Sequence, residues 1–222
     1  MRAIIFVNGA INDYRQAARW LRADDYLIGA DGGTRHCLEL GRQPHAVVGD
    51  LDSLEPELVE QMVARDVLIE RHRPDKDKTD LELALEFAIR RGATEILMLG
   101  AVGDRLDQTL GNFLLLALSG WPIPIYVAEG NQLAQVLAGE GAMVLAAPPG
   151  STVSVLALSE QVTGITYTGL VYPLDNFTLP IGSTRGMSNV VATAPATIRI
   201  ASGRLLVVQA LEHDVQTEFF AV

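Results

Sequence analysis

Short apolar runs separated by helix-like stretches dominate the first half of the chain. Runs at residues 3–7, 26–30, 46–48, 67–69, 95–99 and 125–127 are bounded by Gly, Asn, Asp or Pro. Between them, apolar residues recur at helical spacing, as at Leu81, Ala84, Leu85, Ala88 and Ile89 ahead of Gly92. Strands that are apolar on both faces and alternate with helices predict a mostly parallel, doubly wound α/β sheet. After Asn131 the helical period fades. Runs rich in Val, Ile, Leu, Thr and Tyr follow at 132–137, 143–146, 152–156, 165–167, 170–172, 189–192, 197–200 and 205–209, with Ser202-Gly203 placed as a hairpin turn. The expectation is an α/β domain over residues 1–130 and an all-β sandwich domain over residues 131–222.

Charge is unevenly divided between these halves. Fourteen of the seventeen Lys and Arg residues, and twenty-one of the twenty-seven Asp and Glu residues, precede residue 131. Charged chemistry is therefore expected in the first half. The formal net charge of −10 argues against a nucleic-acid partner, which needs clustered cations to neutralise phosphates. An anionic substrate would be repelled as well, unless metal ions or local basic residues reverse the field. A lone cysteine, Cys37, offers no internal disulfide, and no apolar run reaches the length of a membrane span. With no signal-peptide pattern at the start, the expected location is the cytoplasm.

Acidic residues recur where the α/β pattern ends its strands, the edge at which such sheets bind ligands. Ala30-Asp31-Gly32-Gly33 follows the second run and Gly49-Asp50-Leu51-Asp52-Ser53 the third. Asp75-Lys76-Asp77-Lys78-Thr79-Asp80 follows the fourth run, and residues 100–107, Gly-Ala-Val-Gly-Asp-Arg-Leu-Asp, follow the fifth. One such Asp is more often than not a turn or cap residue, and Thr79 with Glu82 forms a capping-box pattern. Four clusters at equivalent positions point to cations, because two carboxylates about 4 Å apart repel by roughly 4 kcal/mol at an effective dielectric near 20. Oxygen-only donors select hard metals such as Mg²⁺, shared with substrate phosphates. Arg73, Lys76, Lys78 and Arg105 are available to neutralise phosphate oxygens, although the two lysines read equally well as solvated partners of neighbouring aspartates. Walker A and Gly-x-Gly-x-x-Gly patterns are both missing, and His36, His45, His72 and His213 have no metal-ligand spacing.

These motifs, with Gln108 and Asn112 after them and with Gly169-Leu170-Val171-Tyr172-Pro173-Leu174 and Gly186-Met187-Ser188-Asn189 in the second half, together resemble the thiamin pyrophosphokinase family. The resemblance implies a homodimer with thiamin sites between subunits, and transfer of diphosphate from ATP to the thiamin hydroxyl with release of AMP. It implies Mg²⁺ ligation by Asp50, Asp52 and Asp80, with Asp31 and Asp77 as further candidates. Asp31, Gly32, Gly33, Asp77, Gly100, Gly103, Arg105 and Asn112 would border ATP, with Arg105 on phosphate. Asp107 and Gln108 would stand at the junction with thiamin, and Asp107 is a candidate proton acceptor. Tyr172 would stack on the cationic thiazolium, with Ser188 and Asn189 on the pyrimidine edge. Asp104 stands where a second glycine is common in the family, and Gln108 where His is common. Two other readings stay open: a haloacid-dehalogenase-like phosphatase, from the resemblance of Asp50-Leu51-Asp52-Ser53 to that family's nucleophile loop, and a binding module without turnover.

Overall fold

The computed structural model describes residues 1–118 and 120–211. His213 and the rest of the expected second domain beyond residue 211 lie outside the described residues. The chain divides into two compact units. One comprises Met1–Leu115 with Gly120–Gly130, and the other continues from Asn131.

Among the described residues the first unit carries six parallel strands, β1 (Arg2–Phe6), β2 (Tyr26–Ala30), β3 (Ala46–Gly49), β4 (Leu68–Arg71), β5 (Glu95–Leu99) and β6 (Ile125–Glu129). Their order is β6-β5-β1-β2-β3-β4, so the chain runs outward from β1 to β4 and then restarts on the other side of β1 with β5. Helices α1 (Tyr14–Ala18), α2 (Thr34–Glu39), α3 (Pro56–Ala64), α4 (Asp80–Arg90) and α5 (Leu106–Leu116) fill the connections. All five residues of β1 are buried, as expected of a central strand covered on both faces. At the sheet's edge β4 is half exposed, and it extends through Glu70 and Arg71 beyond the apolar run because an edge strand needs only one covered face.

Helix α4 is set by its sequence at both ends. The Thr79 hydroxyl caps it by accepting from Glu82 N at 3.2 Å, and Gly92, at φ +84°, terminates it. Leu81, Leu83, Ala84, Leu85, Phe87 and Ala88 form its buried face, which lies against β3, β2 and β1. That packing holds Asp80, the first residue of the helix, beside the ends of the strands. Under β3, a cluster of Val47, Leu51, Leu54, Met62 and Val67 anchors the loop that carries Asp50 and Asp52.

The second unit is antiparallel. Strands β7 (Gln132–Ala138), β9 (Thr152–Ala157), β12 (Asn189–Val190) and β14 (Arg204–Ala210) pair in the order β12-β9-β14-β7. Strands β8 (Gly141–Val144), β10 (Gln161–Thr168), β11 (Phe177–Pro180) and β13 (Thr197–Ile200) form a sheet in the order β11-β10-β13-β8. Two expectations need correction here. The Ser202-Gly203 turn does not close a hairpin, because β13 and β14 belong to different pairings and the chain crosses between them at Gly203, φ +98°. The run at 170–172 makes a single bridge, Leu170 to Val191, and the Asn189 amide takes the place of a strand partner for Tyr172. In its stead Phe177–Pro180 forms an edge strand, a position that tolerates the missing N–H of Pro180.

No helix of the described residues is long and apolar enough to cross a membrane. Cys37 is fully buried in α2, and burial pushes its thiol up to about 12. Because the thiolate is the reacting form, the native protein is expected to resist alkylation by iodoacetamide at pH 8 under conditions in which urea-unfolded protein reacts completely. Mass spectrometry of the two samples checks this, and rapid native labelling would contradict it.

Candidate active site

The loops leaving β1, β2, β3, β4 and β5 converge at the carboxyl edge of the first unit's sheet, around the point between β1 and β5 where strand order reverses. They line a cleft of about 600 Å³. Such a switch point is where open α/β sheets bind ligands, because adjacent connections leave toward opposite faces and open a crevice. Asp31, Asp50, Asp52, Lys76, Asp80, Gly103, Asp104, Arg105, Gln108 and Asn112 all line it.

At its floor three carboxylates meet. Asp31, Asp50 and Asp52 each place an oxygen within 4.8 Å of the others. Asp31 opens a 3₁₀ turn directly after β2 at φ +45°, is only 5% exposed, and its Oδ1 has no hydrogen-bond partner among the described residues. Asp80 approaches the same point. A Cβ placed on Gly49 would come within 3.0 Å of both the Asp31 Cβ and Asp80 Oδ1, so a glycine is required for the acidic segments to draw together. Lys76 reaches in from the β4–α4 loop, its Nζ 2.6 Å from Asp50 Oδ2 and 2.8 Å from Asp80 Oδ1. The hydrogen bond from Lys76 holds the Asp50 carboxyl below the usual range, against the opposing effect of burial. Burial acts to lower the Lys76 pKa, and the bonds to Asp50 and Asp80 outweigh it, leaving the ammonium above its ordinary value. A buried carboxylate oxygen with no donor, among hard oxygen donors only, fits a divalent cation such as Mg²⁺.

The architecture has known counterparts. A model of the thiamin pyrophosphokinase catalytic domain matches residues 17–126, and a model of that family's vitamin B1 binding domain matches residues 143–205. The crystal structure of thiamin pyrophosphokinase from Geobacillus thermodenitrificans is 30% identical, with a TM-score of 0.79 over 96% of this chain and 98% of its own. The chain belongs to the thiamin pyrophosphokinase family. The thiamine pyrophosphokinase of Bacillus subtilis is 28% identical over 195 residues, which span 83% of this chain and 87% of that protein. The yeast thiamin pyrophosphokinase structure, at 15% identity and a TM-score of 0.78 over 99% of this chain and 89% of its own, is similar in fold.

The remaining candidates are distributed as follows. Within the stretch matched by the thiamin pyrophosphokinase catalytic model, Gly32, Gly33, Gly100, Asp77 and Asp107 do not line the cleft. Gly33 serves packing, since a Cβ there would lie 2.0 Å from the Phe6 carbonyl oxygen. Asp77 is exposed. Arg105 and Asp107 are both exposed and form a bidentate pair at 2.9 and 2.6 Å, which brings the Asp107 carboxyl down to about 2. Asn112 is buried and donates to the Ala101 carbonyl at 2.8 Å, while Thr109 both accepts from Gly103 N and donates to its carbonyl. These bonds fix the β5–α5 loop from below.

Tyr172, Ser188 and Asn189 belong to the second unit, in the stretch matched by the vitamin B1 binding model. Tyr172 is 65% exposed, whereas Asn189 is buried with its amide engaged by the backbone of Tyr172 and Val190. Ser188 is exposed at φ +57°, its N–H donating to the Ser154 hydroxyl at 3.0 Å.

One segment absent from the sequence-based candidates also lines the cleft, Asn8-Gly9-Ala10 after β1. Gly9 N and Ala10 N donate to the carbonyls of Gly100 and Val102, and His36 Nε2 donates to Gly9 O at 3.0 Å while its Nδ1 accepts from the Tyr14 hydroxyl. An Asn-Gly pair closing the first strand was the available signal.

If the carboxylates repel one another, replacing Asp31 by Asn should stabilise the metal-free protein, since Asn keeps the shape and tolerates positive φ. Denaturation in EDTA is expected to show a gain on the order of 1 kcal/mol, roughly 2–4 °C in Tm. Equal or lower stability would show that the cluster carries no net repulsion.

Proposed function

We propose that the cleft binds ATP with Mg²⁺ and positions it for in-line attack by the thiamin hydroxyl on the β-phosphorus, with AMP leaving. Membership of the thiamin pyrophosphokinase family makes the chain an enzyme that transfers diphosphate to thiamin. The observation that carries the nucleotide and metal assignment is the acidic floor at the ends of β2 and β3, with its buried, undonated Asp31 oxygen.

Asp31, Asp50 and Asp52, with Asp80 beside them, would hold the Mg²⁺, which when bound neutralises charge on the phosphates. Reactions of this type depend mainly on positioning and charge neutralisation. Arg105 is suited to a phosphate oxygen: its exposed pair with Asp107 is worth little in water and yields readily to a dianionic phosphate. Once released, the Asp107 carboxylate, next in the chain to the lining residue Gln108, would accept the hydroxyl proton. Asp31 and the lining residues Gly103, Asp104 and Arg105 of the β5–α5 loop would border the nucleotide, with Asn112 holding the Ala101 end of that loop and Gln108 facing the acceptor side. The exposed ring of Tyr172 suits stacking on the thiazolium, with the Ser188 hydroxyl near the pyrimidine and Asn189 fixing the Tyr172 backbone. The Asp77 carboxylate would act through the field alone.

Three finer assignments accompany this function. The 1–130 unit is doubly wound, as strand order supports, and the 131–222 unit is a sandwich of its two antiparallel pairings. The protein is a homodimer, supported by a stripe of exposed leucines on α5, Leu106, Leu110 and Leu114, at four-residue spacing. Its place is the cytoplasm, where Cys37 stays reduced.

Asp52 is exposed, so Asp52→Asn should leave circular dichroism unchanged and, with one charge fewer in the cluster, Tm no lower. Formation of thiamin diphosphate should fall by at least about 100-fold, since even residues behind a metal ligand commonly cost 10–100-fold. Near-normal turnover in the folded variant would remove Asp52 from the metal site.

A further inference from the structure

Lys76 is placed unlike an ordinary surface lysine. Its side chain is 16% exposed, and its ammonium sits between two carboxylates delivered by different segments, Asp50 after β3 and Asp80 at the start of α4. Asp50 is shared: one oxygen accepts from Lys76, and the same carboxylate belongs to the group formed with Asp31 and Asp52. Lys76 also lines the cleft. Its neighbour Lys78 lines the cleft too, but its ammonium is paired with Glu82 and Glu86 of α4 and not with the acidic floor.

We propose that Lys76 is a tethered counter-cation, which holds the acidic floor together between turnovers and moves from Asp50 and Asp80 onto a phosphate oxygen when the divalent cation and nucleotide enter. The proposal presupposes that the floor binds Mg²⁺. Like charges cannot share Asp50 cheaply, so a lysine and a divalent cation compete for it. A flexible four-carbon stem lets the ammonium leave without disturbing the backbone, and an incoming phosphate gives it a new partner. Metal and nucleotide therefore bind cooperatively, each removing an obstacle to the other. The device also explains how an acidic protein keeps four carboxylates assembled without metal while remaining receptive to an anion.

Mn²⁺ binding, followed by electron paramagnetic resonance with and without α,β-methylene-ATP, tests this on the whole protein. Wild type is expected to bind Mn²⁺ weakly alone and more tightly with the analogue. Lys76→Met should bind Mn²⁺ about tenfold more tightly without nucleotide and show a smaller enhancement with it, while Lys76→Arg should behave like wild type. Unchanged or weaker Mn²⁺ binding by a folded Lys76→Met protein would overturn the proposal. Failure of wild type and variant alike to bind Mn²⁺ would overturn the metal site itself, and the proposal with it.

A second measurement needs no Lys76 variant. Lys76 and Lys78 are the only lysines in the sequence, so [¹³C]lysine labelling gives two side-chain signals, assigned with Lys78→Arg. On addition of Mg²⁺ and the analogue the Lys76 signal should shift by more than that of Lys78, whose ammonium keeps its Glu82 and Glu86 partners. A stationary Lys76 signal would contradict the displacement.

Discussion

Mutual repulsion of carboxylates is the constraint around which the first unit is organised. Asp31, Asp50, Asp52 and Asp80 come from three separate connections, and each would be better solvated if its loop moved outward. They are held instead by apolar packing beneath them. The cluster under β3 fixes the Asp50 loop, the buried face of α4 fixes Asp80, and burial of the turn after β2 fixes Asp31. Lys76 offsets part of the repulsion. The site stores unfavourable electrostatics in a scaffold whose hydrophobic burial can sustain it, which is the form of strain expected where a cation and phosphates are to be received.

The strand order makes this gathering possible. Because the chain restarts beside β1 with β5, the loops after β1 and β5 lie side by side at the strand ends and their backbones border the opening. Hydrogen bonds from Gly9 and Ala10 to Gly100 and Val102 tie those two loops together, and a Cβ on Gly9 would lie 2.4 Å from both carbonyl oxygens. His36 and Asn112 brace the same loops from the helices below. The carboxylates are thus supported on one side of the cleft, and the backbone turns that can approach phosphates stand on the other.

Much of this was legible in the sequence, for a physical reason. Strands buried on both faces leave uninterrupted apolar runs, so β1, β2, β3, β5 and β6 could be placed closely, and the acidic residues at their ends followed from the topology. What was hidden depends on distant partners. Lys76 lies between Asp75 and Asp77 in sequence and looks solvated there, yet its partners in space include Asp50, twenty-six residues earlier. Asn189 has the composition of a polar contact residue, but its amide substitutes for a strand beside Tyr172. Gly203 has the dihedral of a turn, and only the pairing of β13 and β14 with different neighbours shows a crossing instead of a hairpin. Local pattern specifies elements; the partner of a lysine or an amide is set by the whole fold.

The central claim is that this acidic floor supports diphosphate transfer from ATP to thiamin. Incubating the purified protein with ATP, Mg²⁺ and thiamin and identifying the products by mass spectrometry tests it most directly. Thiamin diphosphate and AMP in equal amounts, both abolished by EDTA, are the predicted result. Thiamin monophosphate with ADP, or no nucleotide turnover at all, would contradict it.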